Sequence, residues 1–77
     1  MQSTIDLLKS EIDDKIVERN EIFHYFYPND DFSNVDKWNE LVKKRDSMNK
    51  EDVSKFWKIM NLTSIIKIKQ KRLYSLL

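Results

Sequence analysis

The chain contains no cysteine. Disulfide bridges and thiolate metal sites are therefore excluded. Small secreted domains usually depend on such cross-links, because a chain of this length buries only a marginal core, so we expect a cytoplasmic protein. Apolar runs are also far shorter than the roughly 20 residues that a membrane-spanning helix requires. The sequence therefore predicts no membrane span.

Glycine is absent as well, and proline occurs once. Phosphate-binding loops, dinucleotide-binding turns and the nucleophile turn of α/β-hydrolases all need glycine, so these sites are excluded. His24 is the only histidine. Without a second histidine or a cysteine it offers a poor zinc site, and we expect its ring to pack beside its aromatic neighbours at a helix end. The sequence predicts no cofactor, no metal and no catalytic centre.

Charge is present in both signs but is unevenly divided. Residues 1–40 carry ten acids against four bases, whereas residues 41–77 carry ten bases against three acids. The formal net charge of +1 therefore hides a dipolar molecule. Such asymmetry indicates either a charged partner or pairing between the two halves of the chain.

The spacing of apolar residues predicts an all-α fold, a small three- or four-helix bundle that forms one domain over residues 1–77. Tight β-hairpins rely on glycine, and its absence favours helices joined by polar loops. Ser3 followed by Asp6 is typical of a helix N-cap. The first helix is expected to run from Thr4 to about Tyr27, because Pro28 disfavours helical geometry in the residue before it. Its apolar stripe comprises Ile5, Leu8, Ile12, Ile16, Phe23 and Phe26.

Two further helix starts follow. Ser33 or Asn34 can cap a second, shorter helix, and Asn49 followed by Asp52 can cap a third. The apolar side of the second helix is expected to comprise Val35, Trp38, Leu41, Val42 and Met48.

The segment after Asn49 has two sets of apolar residues that point in different directions. On a continuous helix, one set lies roughly 160° from the other. The first set is Val53, Phe56, Trp57 and Met60, and the second is Leu62, Ile65, Ile66, Leu73, Leu76 and Leu77. A break at 61–64 would resolve the conflict, so we favour four helices over three. The alternation of apolar and polar residues over 66–71 also fits a strand, but a lone strand is unstable, and helix is the preferred assignment.

Arg19 is the polar residue that falls within the apolar stripe of the first helix. A buried guanidinium must be paired or must reach water along its stem, so we expect an ion pair with another helix or a head group at the bundle edge. Arginine is also the preferred partner of carboxylate and phosphate, which makes an anion pocket around Arg19 the basis of a weaker hypothesis, a small enzyme. A place in a protein interface is the third reading.

The C-terminal third concentrates basic residues, namely Lys67, Lys69, Lys71 and Arg72. Clustered cations of this kind supply most non-specific affinity for nucleic acid, so these four side chains are the candidate phosphate contacts. The favoured alternative is that this basic helix packs beside the acidic first helix, so that the opposite charges of the two helices pair with each other. An acidic protein surface or a membrane surface is a further reading.

Aromatic residues are numerous for so short a chain, and most are expected in the core. Those left over are candidate interface anchors, because aromatic residues and arginine dominate binding hot spots. The candidates are Tyr25, Tyr27, Trp57, Tyr74 and Arg19, although core is the preferred role for each tryptophan. The sequence thus predicts a small non-catalytic regulatory or adaptor protein, bacterial or phage in type, that binds a protein partner. A nucleic-acid-binding regulator is the alternative, and the small core also makes a homo-oligomer a reasonable expectation.

Overall fold

The computed structural model describes residues 3–77, which form three α-helices. These are α1 (Thr4–Phe26), α2 (Val35–Lys44) and α3 (Lys50–Leu76), with one 3₁₀ turn at Arg45–Ser47 between α2 and α3. No β-strand occurs in this part of the chain. The prediction of an all-α fold is confirmed.

Each helix begins where a capping side chain was predicted. Ser3 accepts a hydrogen bond from the Asp6 backbone N–H at 3.1 Å, and Asn49 does the same for the Asp52 N–H at 2.9 Å. Of the two candidates for α2, Asn34 is the cap. These bonds satisfy backbone donors that have no partner within the helix.

The predicted break at 61–64 is wrong, because α3 is one continuous helix of 27 residues. Its buried side chains follow a single stripe with spacings of three, four and seven residues, and they are Phe56, Ile59, Leu62, Ile66 and Leu73. Thr63 fits into the helix because its hydroxyl donates to the Ile59 carbonyl oxygen at 2.8 Å. The preference for helix over strand at 66–71 is confirmed, while four helices are replaced by three.

Helices α1 and α3 pack antiparallel, and two clusters of buried residues mark the ends of their contact. One end holds Leu8, Ile12, Ile66 and Leu73. The other end holds Phe23, Leu41, Phe56 and Ile59. Helix α2 packs only against the second cluster, so the first end is two helices thick. The described part of the chain is accordingly elongated, with extents of 47 × 22 × 21 Å.

Helix α2 meets the core through a narrow line of side chains. Leu41 is buried, and the Trp38 ring stacks on Phe56 with 5.3 Å between centroids. Val35 and Val42, which were expected on the packed side, are exposed instead. The reason is that the contact runs through Trp38 and Leu41, and at 100° per residue Val35 and Val42 lie roughly 70–90° around the helix from that line. Among residues 3–77, no helix is both long enough and apolar enough to cross a membrane.

Candidate functional site: the outer face of α3

Arg19 lies between helices rather than on a free surface. Its guanidinium donates to the Thr63 hydroxyl at 3.3 Å, and its Cζ atom lies 3.9 Å from the centre of the Phe32 ring. No carboxylate lies within 4 Å in the described part of the chain, so the expected ion pair is absent. Burial lowers the pKa of the Arg19 guanidinium, and its Nε atom is buried without a hydrogen-bond partner. Arg19 therefore serves to join α1, α3 and the loop before α2.

The basic residues near the end of α3 divide into two groups. Lys69 donates to the Glu11 carboxylate at 2.9 Å, and this bond holds the Glu11 pKa below its usual value. This ion pair joins α3 to α1, as expected if the basic helix packs beside the acidic one. Lys67, Lys71 and Arg72 are exposed, and none forms an ion pair within residues 3–77.

The candidate aromatic residues also separate. Tyr25 donates its hydroxyl to Asp52 at 2.9 Å, which raises the Tyr25 pKa, and the Tyr27 ring packs against Phe23. Both tyrosines thus have partners within the chain at the junction of α1 with α2 and α3. Trp57 and Tyr74 are 48% and 68% exposed on α3, against 50% for Tyr25, and they differ from Tyr25 because neither side chain forms a hydrogen bond within the described residues.

The exposed apolar residues of α3 form a second stripe, on the side of the helix that faces away from α1. With 3.6 residues per turn, Trp57 and Ile68 lie about opposite the buried Ile59 and Ile66. We define the outer face of α3 as the exposed residues Trp57, Lys58, Met60, Ser64, Ile65, Lys67, Ile68, Lys71 and Arg72. Helix α3 therefore has two opposite apolar faces, of which one is buried and one is free.

The charge on the outer face of α3 has one sign. The acids of α3, Glu51 and Asp52, lie in its first turn. From Val53 to Leu77 the chain contains no acidic residue. The charged residues of the outer face are thus all cations, and they lie beside its large apolar side chains.

Sequence reasoning found part of this face and missed its geometry. It named Lys67, Lys71 and Arg72 as phosphate contacts and Trp57 as an interface candidate, but it preferred a core role for Trp57, which is exposed. Tyr74, its other candidate on α3, is exposed but lies outside the outer face. It assigned Met60 and Ile65 to core-facing sets, although both are exposed. The signal was present in the two opposed apolar sets, which indicate a helix with two apolar faces as readily as a broken one.

The described residues also form a cleft of about 330 Å³. It lies between the end of α1, α2 and the start of α3, with Tyr27, Lys44 and Asp52 among its lining residues. Lys44 pairs with Glu40 at 3.0 Å, which lowers the Glu40 pKa and raises that of Lys44. The cleft brings together no nucleophile with a positioned base. The described residues also contain no group of three or more His, Cys, Asp or Glu side chains that could hold a metal ion.

His24 does not pack as expected, because its ring is exposed on α1. The buried position nearest to it is taken by Phe23, one residue earlier and about 100° around the helix.

Comparisons of the chain with protein-family models, with curated proteins and with solved structures give no match. The function must therefore be argued from the residues of the outer face of α3.

Proposed function

We propose that this chain is a small three-helix bundle, one cytoplasmic domain, that acts as a non-catalytic regulatory or adaptor protein by binding a protein partner through the outer face of α3. The observation that carries the proposal is the second apolar stripe of α3. Trp57 and Ile68 expose 48% and 69% of their surfaces on a helix that has already buried its other face.

Burial of this stripe by a partner is favourable for a simple reason. Each large apolar side chain that leaves water on binding contributes roughly 25 cal/mol per Å² of buried apolar surface, and tryptophan is the residue most enriched in binding hot spots. The stripe is also pre-organised, because the opposite side of α3 is held by five buried residues against α1 and α2. Little ordering of α3 is needed on binding, which keeps the entropic cost low.

The cations around the stripe narrow the class of partner. Lys58, Lys67, Lys71 and Arg72 are exposed, and no acid follows Asp52 in the chain. Complementary charge accelerates encounter and disfavours wrong partners. A protein surface that is both apolar and acidic fits this face best.

The experiment is an affinity pull-down from a cell extract, in which wild type, a test variant and a control variant each serve as bait. The test variant is Trp57→Ala/Ile68→Ser, and the matched control is Val35→Ser, which replaces an equally exposed apolar residue on α2. Proteins retained by wild type and control but lost by the test variant are identified by mass spectrometry. The binding is then reconstituted with the purified partner and measured by calorimetry.

We expect the test variant to weaken the reconstituted complex by at least roughly 30-fold, the effect of losing one hot-spot residue. We expect the control to bind as wild type does. Equal dissociation constants for wild type and test variant would overturn the proposal, as would an equal loss in the control.

One observation favours a second candidate function, a nucleic-acid-binding regulator. Lys67, Lys71 and Arg72 are exposed and have no ion pair in the described residues, so all three are free to contact phosphates. Three such contacts predict an affinity that falls about 40-fold between roughly 50 and 200 mM salt.

Fluorescence anisotropy with random duplex DNA and single-stranded RNA at these two salt concentrations tests the second candidate. The variant Lys67→Gln/Lys71→Gln/Arg72→Gln keeps the Glu11–Lys69 pair and should abolish binding. Absence of binding by the wild type at the lower salt concentration would rule this candidate out.

A further inference from the structure

Helix α1 carries a surface that complements the outer face of α3. We define the outer face of α1 as the exposed residues that point away from α3, namely Asp6, Leu7, Ser10, Asp13, Asp14, Val17, Glu21 and His24. Leu7 and Val17 are exposed apolar side chains. The four acids form no ion pair in the described part of the chain. This face is therefore apolar and acidic, whereas the outer face of α3 is apolar and basic.

The two outer faces lie on opposite sides of the molecule. Each is turned away from the contact between α1 and α3, and these helices form the full length of the elongated fold. One copy can therefore present its α3 to the α1 of a second copy while its own α1 stays free.

We propose that the partner of the outer face of α3 is the outer face of α1 in a second copy of this chain. This inference rests on the proposed function, since it names the protein that occupies the same surface. The charges select this pairing over a symmetric one, because two outer faces of α3 would bring like charges together, and so would two outer faces of α1.

The register of such a contact follows from the fold. Within one copy the helices are antiparallel and Glu11 pairs with Lys69, so residues that face each other have numbers that add up to about 80. A second copy shifted sideways without rotation keeps this register, because such a shift leaves the position along the helix axes unchanged. It places Asp13 opposite Lys67, and it brings Val17 close to Ser64 and Ile65.

The contact is heterologous and leaves one complementary face free at each end. Assemblies of this type do not close unless a rotation brings the ends together, so copies add one after another. We therefore expect association that rises steadily with concentration and not a discrete dimer. Because the facing charges are exposed, we also expect the association to weaken as salt is added.

Charge reversal on each face tests the pairing. The variant Asp13→Lys/Asp14→Lys makes the outer face of α1 basic, and Lys67→Glu/Lys71→Glu makes the outer face of α3 acidic. All four side chains are exposed and without ion pairs in residues 3–77, so the fold should be kept, which circular dichroism checks. Asp36→Lys/Lys43→Glu on α2, which leaves the net charge unchanged, is the control for charge reversal outside the two outer faces.

Sedimentation velocity at about 50 mM salt gives the readout. Wild type and control should associate, each reversed variant alone should associate at least tenfold more weakly, and an equimolar mixture of the two should regain association. Contact between α1 and α3 of different copies predicts this rescue. A wild type that stays monomeric up to millimolar concentration, or a mixture without rescue, would overturn the inference.

These results also separate the inference from the proposed function. If wild type is monomeric but a purified partner depends on Trp57 and Ile68, the second copy is the wrong occupant and the outer face of α3 is still a protein-binding surface. If neither association nor such a partner is found, both proposals fail.

Discussion

Two isoleucines of α3 allow a direct test of how this helix is placed. Ile66 is 3% exposed and belongs to the cluster shared with Leu8, Ile12 and Leu73, whereas Ile68 is 69% exposed on the outer face. They are the same residue type in the same helix, two positions apart. Replacing each with alanine is therefore the same chemical change, with the same change in helix propensity. The two substitutions differ only in whether the side chain that is removed is buried.

The expected costs differ strongly. Removing the buried Ile66 side chain loses its transfer free energy and leaves a cavity, so Ile66→Ala should lower the free energy of unfolding by about 2–5 kcal/mol. Ile68→Ala should change it by no more than about 0.5 kcal/mol, because its side chain is already in water. A domain of this size has roughly 4–12 kcal/mol in total, so Ile66→Ala removes a large fraction of the stability.

Urea denaturation followed by tryptophan fluorescence measures both changes, with far-UV circular dichroism as the second probe. A strand over 66–71 would place Ile66 and Ile68 on the same face, since side chains two apart in a strand point the same way. Equal costs for the two substitutions would thus refute the helical placement. A cost below about 1 kcal/mol for Ile66→Ala would refute its burial against α1.

Three further predictions follow from individual contacts. Asn49→Ala removes the cap of α3 and should cost about 1 kcal/mol in urea denaturation, whereas Asn39→Ala on exposed α2 should cost nothing measurable; equal costs would contradict the capping role. Lys69 lowers the Glu11 pKa in the folded state, so the pair stabilises the fold above the ordinary carboxyl pKa, and this contribution is lost as pH falls through the lowered pKa. Wild type should therefore have a larger free energy of unfolding than Glu11→Gln near neutral pH but not in acid. A difference that stays constant across pH would contradict the stabilising role of the pair. Arg19→Met should lower the free energy of unfolding by less than about 1 kcal/mol, because the buried Nε without a partner offsets the hydrogen bond to Thr63 and the contact with Phe32; a loss above about 2 kcal/mol would show that these two contacts outweigh the cost of burial.

The sequence was sufficient for features that depend on local chemistry. The caps at Ser3 and Asn49 and the end of α1 before Pro28 follow from which side chains can bond to free backbone groups near them in the chain. The all-α class follows from spacing alone. None of these features requires knowledge of which helix packs against which.

Features that depend on packing could not be read from the sequence. The continuity of α3 depends on α1 covering one of its apolar faces while leaving Trp57 and Ile68 free, and spacing alone cannot say which face is covered. The exposure of Val35 has the same origin, since it depends on where α2 meets the α1–α3 pair. Arg19 shows a third case, because its partners Thr63 and Phe32 are distant in the chain and neither is acidic.

The central claim is that the outer face of α3 is covered by a protein, and site-specific cross-linking tests it most directly. Ser64 lies exposed in the middle of this face, and Asn39 lies exposed on α2. Each is replaced in turn by a photoactivatable phenylalanine analogue, and cells that express the protein are irradiated. We predict a ladder of cross-linked products from position 64, in which copies of the chain are joined to one another, and none from position 39. No product from position 64, or the same product from both positions, would contradict the account.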